Sequence, residues 1–393
     1  MCEKDTFIGL ANHAASWIRL FCGFCDELAP GSKNRARANM RSLFFTAACA
    51  GALSTAPPLS ARKVPWTWRG HPIDVRALGE GPPVVLVHGF GASTTYYRRT
   101  SEALAAAGYT AWSFDLLGQG RSAKPADEYY SISLWRRQLA AFLAEFCDGG
   151  AVVCGNSLGG LVALAAAAGP EAYGRANDGE PDDGATDDDD GATDDAAAPG
   201  RVRAICLFNC AVGLNLRGVA ADPTLPEPAR RALGALSALV AAIFRSPLLG
   251  LALRFFVSRA SLADALRGLY LHAPDNVDDE LVASFYEPAQ DAGALGALRQ
   301  IYTNAPGPTP MRLHGECARL GAEVPIHCVW GTQDAVTPLG GGVGRFYQGL
   351  AADAAAPGVT LDRVDAGHIP MDDNPEASNR ALLAWLAQLE GPS

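Results

Sequence analysis

Short apolar runs alternate with helical patterns along most of this chain, and this alternation constrains the fold more than any other feature. After Trp66 the runs lie at 84–87, 110–115, 151–154, 202–208, 326–330 and 359–364. Helical patterns such as 97–107 and 134–146 separate the first of them. Because strands covered on both faces are continuously apolar, these runs predict a mostly parallel sheet between helices. The expected architecture is doubly wound α/β.

A long stretch without a convincing strand, about 214–322, interrupts the alternation. It holds apolar helical runs such as 233–244 and 248–256. An all-helical insertion between two strands is best explained as a cap over the carboxyl edge of the sheet, where open α/β sheets bind ligands. We therefore predict one α/β core in two parts, 65–213 and 323–393, with a helical cap between them.

A second interruption, 177–199, repeats Gly-Ala-Thr-Asp-Asp and has too few apolar residues to order itself. We expect a disordered surface insertion within the first part of the core. Calcium binding by its carboxylates is the alternative, although no ligand pattern supports it. The same run carries much of the net charge of -10, which would repel polyanions and argues against nucleic acid as a partner.

The first 64 residues differ in composition from the rest of the chain, and we leave them out of the fold. Met40 and Arg41 precede an apolar run at 43–53 and then small residues, which is how a cleavable targeting signal is built. The run is too short to span a bilayer. We favour a targeting segment, with Met40 as a candidate start. A disordered or helical extension is the alternative.

Ten cysteines are scattered along the chain, mostly inside apolar runs, where a free thiol behaves as a small hydrophobe. Cys22 and Cys25 form a CxxC pair, but no second pair or histidine lies nearby at metal-binding spacing. The pattern predicts neither a metal site nor a disulfide framework, and a reduced compartment is the simpler assumption. The sequence does not specify an oligomeric state.

The strongest local signal is Gly155-Asn156-Ser157-Leu158-Gly159, which follows an apolar strand and precedes an alanine-rich helix. A sharp strand-to-helix turn of this kind holds its central serine in a strained conformation at the end of the sheet. The flanking glycines allow neighbouring backbone to come close. This context predicts that Ser157 is a nucleophile.

A serine hydroxyl needs an adjacent base, and on such a turn its partners follow in the order acid, then histidine. Asp334 follows the strand that ends at Trp330, and His368 follows the strand that ends near Val364. We predict that His368 takes the proton of Ser157 and that Asp334 orients the imidazole.

Rival residues lie close to the predicted base in sequence. Asp362, Asp365 and Asp372 are alternative acids, the first two expected at a solvated strand or its edge. His88 is the nearest alternative base, but its place before Gly89 suits a structural hydrogen bond beneath a loop.

Acyl transfer also needs an oxyanion hole, in which backbone N–H groups stabilise the developing negative charge. Leu158 is expected to supply one N–H as the residue after the nucleophile. Phe90, in His88-Gly89-Phe90-Gly91, is expected to supply the second. A simple tight turn is the alternative for that loop. This chemistry requires no metal and no organic cofactor, and the sequence has no dinucleotide or phosphate-binding motif.

Further segments carry a family resemblance that the triad itself does not require. They are the segment 114–122, Asn156, and the segments 207–211, 277–281, 307–310, 337–339 and 342–344. From about Trp66 to its end, the chain resembles the α/β-hydrolase superfamily. Within it, these segments are similar to the plastid and cyanobacterial hydrolases that include chlorophyll dephytylase and pheophytinase.

The resemblance implies an α/β-hydrolase fold, with a mostly parallel central sheet, flanking helices and an inserted helical cap. It places the family's nucleophile, acid and base on Ser157, Asp334 and His368. It also implies that the substrate is the phytyl ester of chlorophyll or pheophytin, that phytol is released, and that the protein is plastid-located with peripheral thylakoid association. The acidic insertion departs from the family pattern, as do Ile369 and Met371, where relatives tend to have cysteine and a polar residue.

Other functions of the same fold remain open. Epoxide hydrolases and haloalkane dehalogenases attack with a carboxylate, whereas this chain has Ser157 at that position. Hydrolysis of another ester or of a C–C bond, and acyl transfer, would use the same triad. Some proteins of this fold are small-molecule receptors, for which an incomplete triad would be expected.

Overall fold

The computed structural model describes residues 61–170, 202–220, 225–319, 324–354 and 358–389, without the side chains of 254–256. The predicted targeting segment, the Cys22 and Cys25 pair and the acidic insertion at 177–199 lie outside these residues. The first strand begins at Arg62, three residues before the predicted start of the core.

Eight strands form a single sheet. They are β1 (Arg62–Trp68), β2 (His71–Leu78), β3 (Pro83–Val87), β4 (Thr110–Phe114), β5 (Ala151–Asn156), β6 (Val202–Phe208), β7 (Ile326–Gly331) and β8 (Val359–Val364). Their spatial order is β1-β2-β4-β3-β5-β6-β7-β8. β2 runs antiparallel to β1 and β4, and all other neighbours are parallel. The predicted mostly parallel sheet is confirmed.

Burial explains why the strands differ in sequence. β7 is buried at every position, as expected for a strand covered by helices on both faces. β1 is an edge strand that exposes Arg62, Lys63, Pro65 and Thr67, and its sequence is correspondingly mixed. The continuously apolar strands therefore lie at the centre of the sheet.

Thirteen α-helices lie in the described residues. They are α1 (Arg98–Ala106), α2 (Ile132–Phe146), α3 (Leu158–Ala168), α4 (Leu216–Ala220), α5 (Glu227–Arg245), α6 (Leu249–Phe256), α7 (Arg259–Arg267), α8 (Asp279–Tyr286), α9 (Ala294–Thr303), α10 (Pro310–Arg319), α11 (Gly342–Ala352), α12 (Pro370–Asp373) and α13 (Pro375–Leu389). Side chains of α2, α3, α10 and α11 share one apolar cluster with the sheet, and those of α1 and α13 share another. The helices thus flank the sheet in two layers.

Helices α4 to α9 follow β6 and lie within the segment predicted as the cap, and we use the name cap for these helices and the residues between them. The described residues between β6 and β7 contain no strand. The side chain of Asn215 donates to the carbonyls of Ile301 and Asn304, so the start of this helical segment is fixed to its end. None of the helices in the described ranges has the length and apolarity to cross a bilayer.

Candidate active site

Ser157 lies on the turn between β5 and α3, at the carboxyl edge of the sheet. Its backbone has φ 53° and ψ -114°, a conformation that is costly for a residue with a side chain. A Cβ added to Gly155 would overlap the backbone of Gly159, and one added to Gly159 would overlap the carbonyl of Val87. Both glycines are therefore required for the turn to pack against β3 and keep the serine in this conformation.

His368 and Asp334 form a hydrogen-bonded pair that is largely buried. His368 Nδ1 lies 2.9 Å from Asp334 Oδ2, after β8 and β7 respectively. A proton on Nδ1 is donated to the carboxylate and leaves the lone pair of Nε2 available to accept a proton. This is the tautomer that a general base next to a serine requires.

Three further donors hold the Asp334 carboxylate in place. Thr337 Oγ1 donates to Oδ2 at 2.6 Å, and the N–H groups of Val336 and Thr337 donate to Oδ1 at 2.7 Å and 3.1 Å. Burial by itself raises the pKa of the Asp334 carboxyl. The charge of His368 and the hydrogen bonds from His368 and Thr337 outweigh burial and lower that pKa below its ordinary value. The group therefore stays ionised at neutral pH.

Two asparagines link the ends of the central strands. Asn156 Nδ2, next to Ser157 in the chain, donates to the carbonyls of Phe208 and His368 at 3.1 Å and 3.0 Å. Asn209 Nδ2 donates to the Gly367 carbonyl at 2.9 Å, and its Oδ1 accepts the N–H of Gly331 at 2.8 Å. The structure thus brings the serine turn and the His368 loop together, although the two residues are 211 positions apart in the sequence.

The loop after β3 runs beside the serine. A Cβ added to Gly89 would lie 3.3 Å from the Cβ of Ser157. The N–H of Gly89 donates to the hydroxyl of Tyr96, and that of Gly91 donates to Gln119 Oε1 at 2.8 Å. Phe90 lies between these two anchored glycines. This arrangement is compatible with its predicted role as an oxyanion-hole donor.

Leu158 occupies the first position of α3, where the backbone N–H has no carbonyl partner within the helix. It immediately follows Ser157. The N–H lies at the positive end of the helix dipole, which favours a developing negative charge.

The rival residues have other partners. Asp362 and Asp365 have side chains that are 57% and 66% exposed, and Asp365 contacts His272 and Gln333. Asp372 is buried against Arg98, Arg99 and Tyr270 instead.

His88 has the structural role that its position suggested. Its Nδ1 donates to the Gly89 carbonyl at 2.7 Å, and its Nε2 accepts the N–H of Leu116 at 2.9 Å. Burial lowers the pKa of His88, which keeps the ring neutral in this arrangement.

Asp373 is a buried residue whose importance the sequence did not reveal. Its carboxylate accepts the backbone N–H groups of Gly367 at 2.6 Å, Leu271 at 3.0 Å, His272 at 3.1 Å and Ala273 at 2.8 Å. One side chain therefore fixes the loop of the predicted base to a segment of the cap. No local motif marks this role, because the four donors come from two distant parts of the chain.

Further contacts join the cap to the same loop. The N–H of His368 donates to the carbonyl of Leu269 at 3.1 Å. A Cβ on Gly367 would overlap that same carbonyl, so the close approach requires glycine. The cap segment 269–273 is therefore part of the support of His368.

Tyr96 is a second residue that sequence reasoning missed. Its hydroxyl accepts from Gly89 and lies 3.3 Å from Asn156 Oδ1, so it connects the loop after β3 with the serine turn. Burial raises its pKa, so the hydroxyl keeps its proton and can donate as well as accept.

An aromatic stack connects the cap with Phe90. The ring of Phe90 lies 5.6 Å from that of Tyr302 on α9, and Tyr302 stacks on Phe244 of α5 at 4.0 Å.

The described residues contain no cluster of three or more histidine, cysteine or acidic side chains suited to a metal ion.

Comparison with known families agrees with this geometry. The sequence profile of the alpha/beta hydrolase family matches residues 84–381, which include the serine turn, the cap, Asp334 and His368. The chain belongs to the alpha/beta hydrolase family. The broad part of the predicted resemblance is thereby confirmed.

Individual relatives match shorter segments of this alpha/beta hydrolase. The chain is 35% identical over 86 residues to bifunctional epoxide hydrolase 2 of Sus scrofa, and the match covers 22% of the chain and 16% of that protein. It is 36% identical over 91 residues to pimeloyl-[acyl-carrier protein] methyl ester esterase of Aeromonas hydrophila, covering 23% of the chain and 34% of that protein. The matches span about a third or less of these relatives.

Solved structures of the same fold extend over most of the chain. An epoxide hydrolase from Vigna radiata is 18% identical with a TM-score of 0.57, covering 84% of this chain and 99% of its own. The meta-cleavage product hydrolase from Pseudomonas fluorescens is 18% identical with a TM-score of 0.54, covering 83% and 97%. At this identity the likeness establishes the fold alone.

Proposed function

We propose that this alpha/beta hydrolase is a serine hydrolase of carboxylic esters, with Ser157 as nucleophile, His368 as general base and acid, and Asp334 as the residue that orients His368. The observation that carries the proposal is the 2.9 Å His368–Asp334 hydrogen bond on the loop linked through Asn156 to the strained serine turn. The named methyl ester esterase among the relatives supports ester chemistry as the reaction class.

In the proposed reaction, Ser157 Oγ attacks the ester carbonyl carbon while His368 Nε2 takes the hydroxyl proton. The carbonyl oxygen becomes an oxyanion, which the N–H groups of Phe90 and Leu158 would stabilise. When the tetrahedral intermediate collapses, the C–O bond to the alcohol breaks and His368 returns the proton to the leaving alcohol. Water then attacks the acyl-enzyme by the same steps and releases the acid.

Epoxide hydrolases are also among the relatives and fold neighbours. That chemistry needs a carboxylate that attacks carbon directly and forms an alkyl-enzyme ester. Ser157 occupies the nucleophile position in this chain, and no acidic residue is present in the segment 155–159. The residue type therefore favours ester hydrolysis over epoxide opening.

The proposed substrate is the phytyl ester of chlorophyll or pheophytin, which would be split into free phytol and the de-esterified pigment. Support comes from the resemblance of segments 114–122, 207–211 and 337–339 to the chlorophyll dephytylase and pheophytinase group. An apolar cluster that includes Phe90, Phe244 and Tyr302 beside the proposed oxyanion loop suits a long alkyl chain. A plastid location is part of the same proposal.

The test is hydrolysis of chlorophyll a, pheophytin a and p-nitrophenyl butyrate by the full chain, with Ser157→Ala as the matched control. We expect phytol release from at least one pigment, and a loss of about 10⁶-fold in kcat in the variant. Hydrolysis of the short ester without either pigment would contradict the pigment assignment and leave the serine mechanism standing. Undiminished turnover by Ser157→Ala would contradict the mechanism.

A further inference from the structure

The outer surface of the cap exposes large apolar side chains in one short segment. Five large apolar residues in the described part of the chain are strongly exposed, and four of them lie between residues 239 and 251. These four are Leu239, Ile243, Leu248 and Leu251, each between 50% and 67% exposed. We call them, with the exposed residues of α5 around them, the apolar cap face.

Helix α5 is apolar on both its sides. Leu233, Ala241 and Phe244 are buried against the protein, together with Ser237. Ala232, Ala235, Leu239 and Ala242 recur at helical spacing on the exposed side. A helix that only packed on the core would carry polar or charged residues at these exposed positions. The segment 232–244 has no charged residue at all.

The charge around this face is opposite to that of the whole chain. The chain has a formal charge of -10, yet residues 227–263 contain five arginines and a single acidic residue, Glu227. Glu227 pairs with Arg230 and Arg231 at the start of α5, and Arg259 pairs with Glu287 at the end of α8. Arg231 and Arg245 lie at the two ends of the uncharged segment, and both are exposed. An exposed apolar helix face bordered by arginines is the pattern that binds the surface of an anionic membrane.

A second copy of this chain would suit the face less well. In a twofold dimer the same patch meets itself, so the two copies of this net basic segment would approach each other, and its one carboxylate, Glu227, is already paired with Arg230 and Arg231. An anionic lipid surface supplies both the apolar contact and the negative charge.

The face is also close to the proposed site. Phe244, on the turn of α5 that carries exposed Ile243, stacks on Tyr302 at 4.0 Å, and Tyr302 contacts Phe90 of the proposed oxyanion loop at 5.6 Å. A single helix therefore lies between the apolar cap face and the cluster beside that loop.

We propose that α5 and the start of α6 dock on an anionic lipid surface through Leu239, Ile243, Leu248 and Leu251, with the exposed Arg245 on the lipid headgroups. The use of this surface rests on the proposed function, because docking there would bring a lipid-embedded ester next to the site. The surface itself is identified from the exposure and charge of its residues, and it does not depend on whether the protein hydrolyses esters.

The experiment is co-sedimentation of the full chain with vesicles of phosphatidylcholine, alone or with one-third phosphatidylglycerol. Hydrogen exchange is measured in the same samples. We expect binding to the anionic vesicles and slower exchange of amides in 236–251. The triple variant Leu239→Ser, Ile243→Ser, Leu248→Ser should bind about tenfold more weakly. The matched control Leu271→Ser, an exposed leucine outside the face, should bind as the unaltered chain does.

Arg245→Gln should weaken binding to the anionic vesicles about fivefold and leave binding to pure phosphatidylcholine unchanged. Circular dichroism of each variant establishes that it is folded. Ser157→Ala should bind like the unaltered chain, so a failure of ester hydrolysis would not affect this result.

Four outcomes would overturn the proposal. They are absence of binding to anionic vesicles, equal binding to neutral vesicles, binding without protection of 236–251, and a dimer in solution that the triple variant converts to monomer.

Discussion

At the carboxyl edge of the sheet the buried polar groups of the site are paired with one another, whereas helix α5 of the cap carries apolar side chains on its buried and its exposed side alike. Asp334, Asp373 and Asn156 each accept or donate several hydrogen bonds within the protein. Leu239 and Leu248 have most of their surface in solvent. The geometry of the site is therefore fixed by hydrogen bonds within the protein, whereas the exposed side of α5 suits contact with an external partner.

The largest effect expected at the paired region, after loss of the serine itself, is that of Asp334→Asn. The amide nitrogen would face His368 Nδ1 and favour the tautomer with its proton on Nε2, which cannot act as base. We expect kcat to fall by about 10⁴-fold with KM nearly unchanged. Steady-state kinetics on the best ester measure this. The control Asp365→Asn alters an exposed acid and should retain full activity.

Asp373→Asn should reduce both stability and rate. An amide offers one acceptor oxygen in place of two, so donors from the His368 loop and from the cap would lose their partner. We expect a loss of about 3 kcal/mol in the free energy of unfolding, together with a lower kcat. Urea unfolding and kinetics would measure the two effects, with exposed Asp275→Asn as control. An unchanged midpoint would show that Asp373 does not hold the cap to the loop.

The smallest of these effects is expected at the aromatic stack between the two regions. Tyr302→Leu removes the ring that contacts Phe90 and Phe244, which should cost about 1 kcal/mol of stability beyond the lost burial. We expect a lower kcat for short esters, because Phe90 would be less firmly held, and a larger loss for long esters, because the cluster proposed for the alkyl chain loses a ring. Tyr302→Phe retains the ring and should keep the rate. Equal rates for the unaltered chain, Tyr302→Leu and Tyr302→Phe would show that contact with the cap does not support the oxyanion loop.

The parallel part of the sheet can be predicted from the sequence, and the antiparallel part at β1 and β2 cannot. Strands β3 to β8 are recognisable as short apolar runs separated by helical patterns, whereas β1 and β2 form no such runs. β1 mixes Arg62, Lys63 and Pro65 with buried Trp66 and Trp68, as an antiparallel edge strand exposed on one side would. Such a strand forms because it pairs with its neighbour β2, and its own composition does not mark it as a strand.

Part of the candidate site could likewise be predicted from the sequence, and part of it could not. Ser157, Asp334 and His368 could be predicted because each follows a strand in a fixed chain order, and the structure places their loops together. The supports of these loops could not be predicted. Asp373 and Tyr96 act through donors and acceptors far away in the sequence, and no local pattern encodes such pairs.

Covalent labelling tests whether Ser157 is an activated nucleophile. The full chain is treated with a fluorophosphonate, which reacts with serine nucleophiles activated by a histidine, and the modified peptide is identified by mass spectrometry. We expect one adduct, on Ser157, that forms as ester hydrolysis is lost. It should be absent from Ser157→Ala and strongly reduced in Asp334→Asn. An unlabelled Ser157 in a chain that still hydrolyses the ester would contradict the proposed role of Ser157.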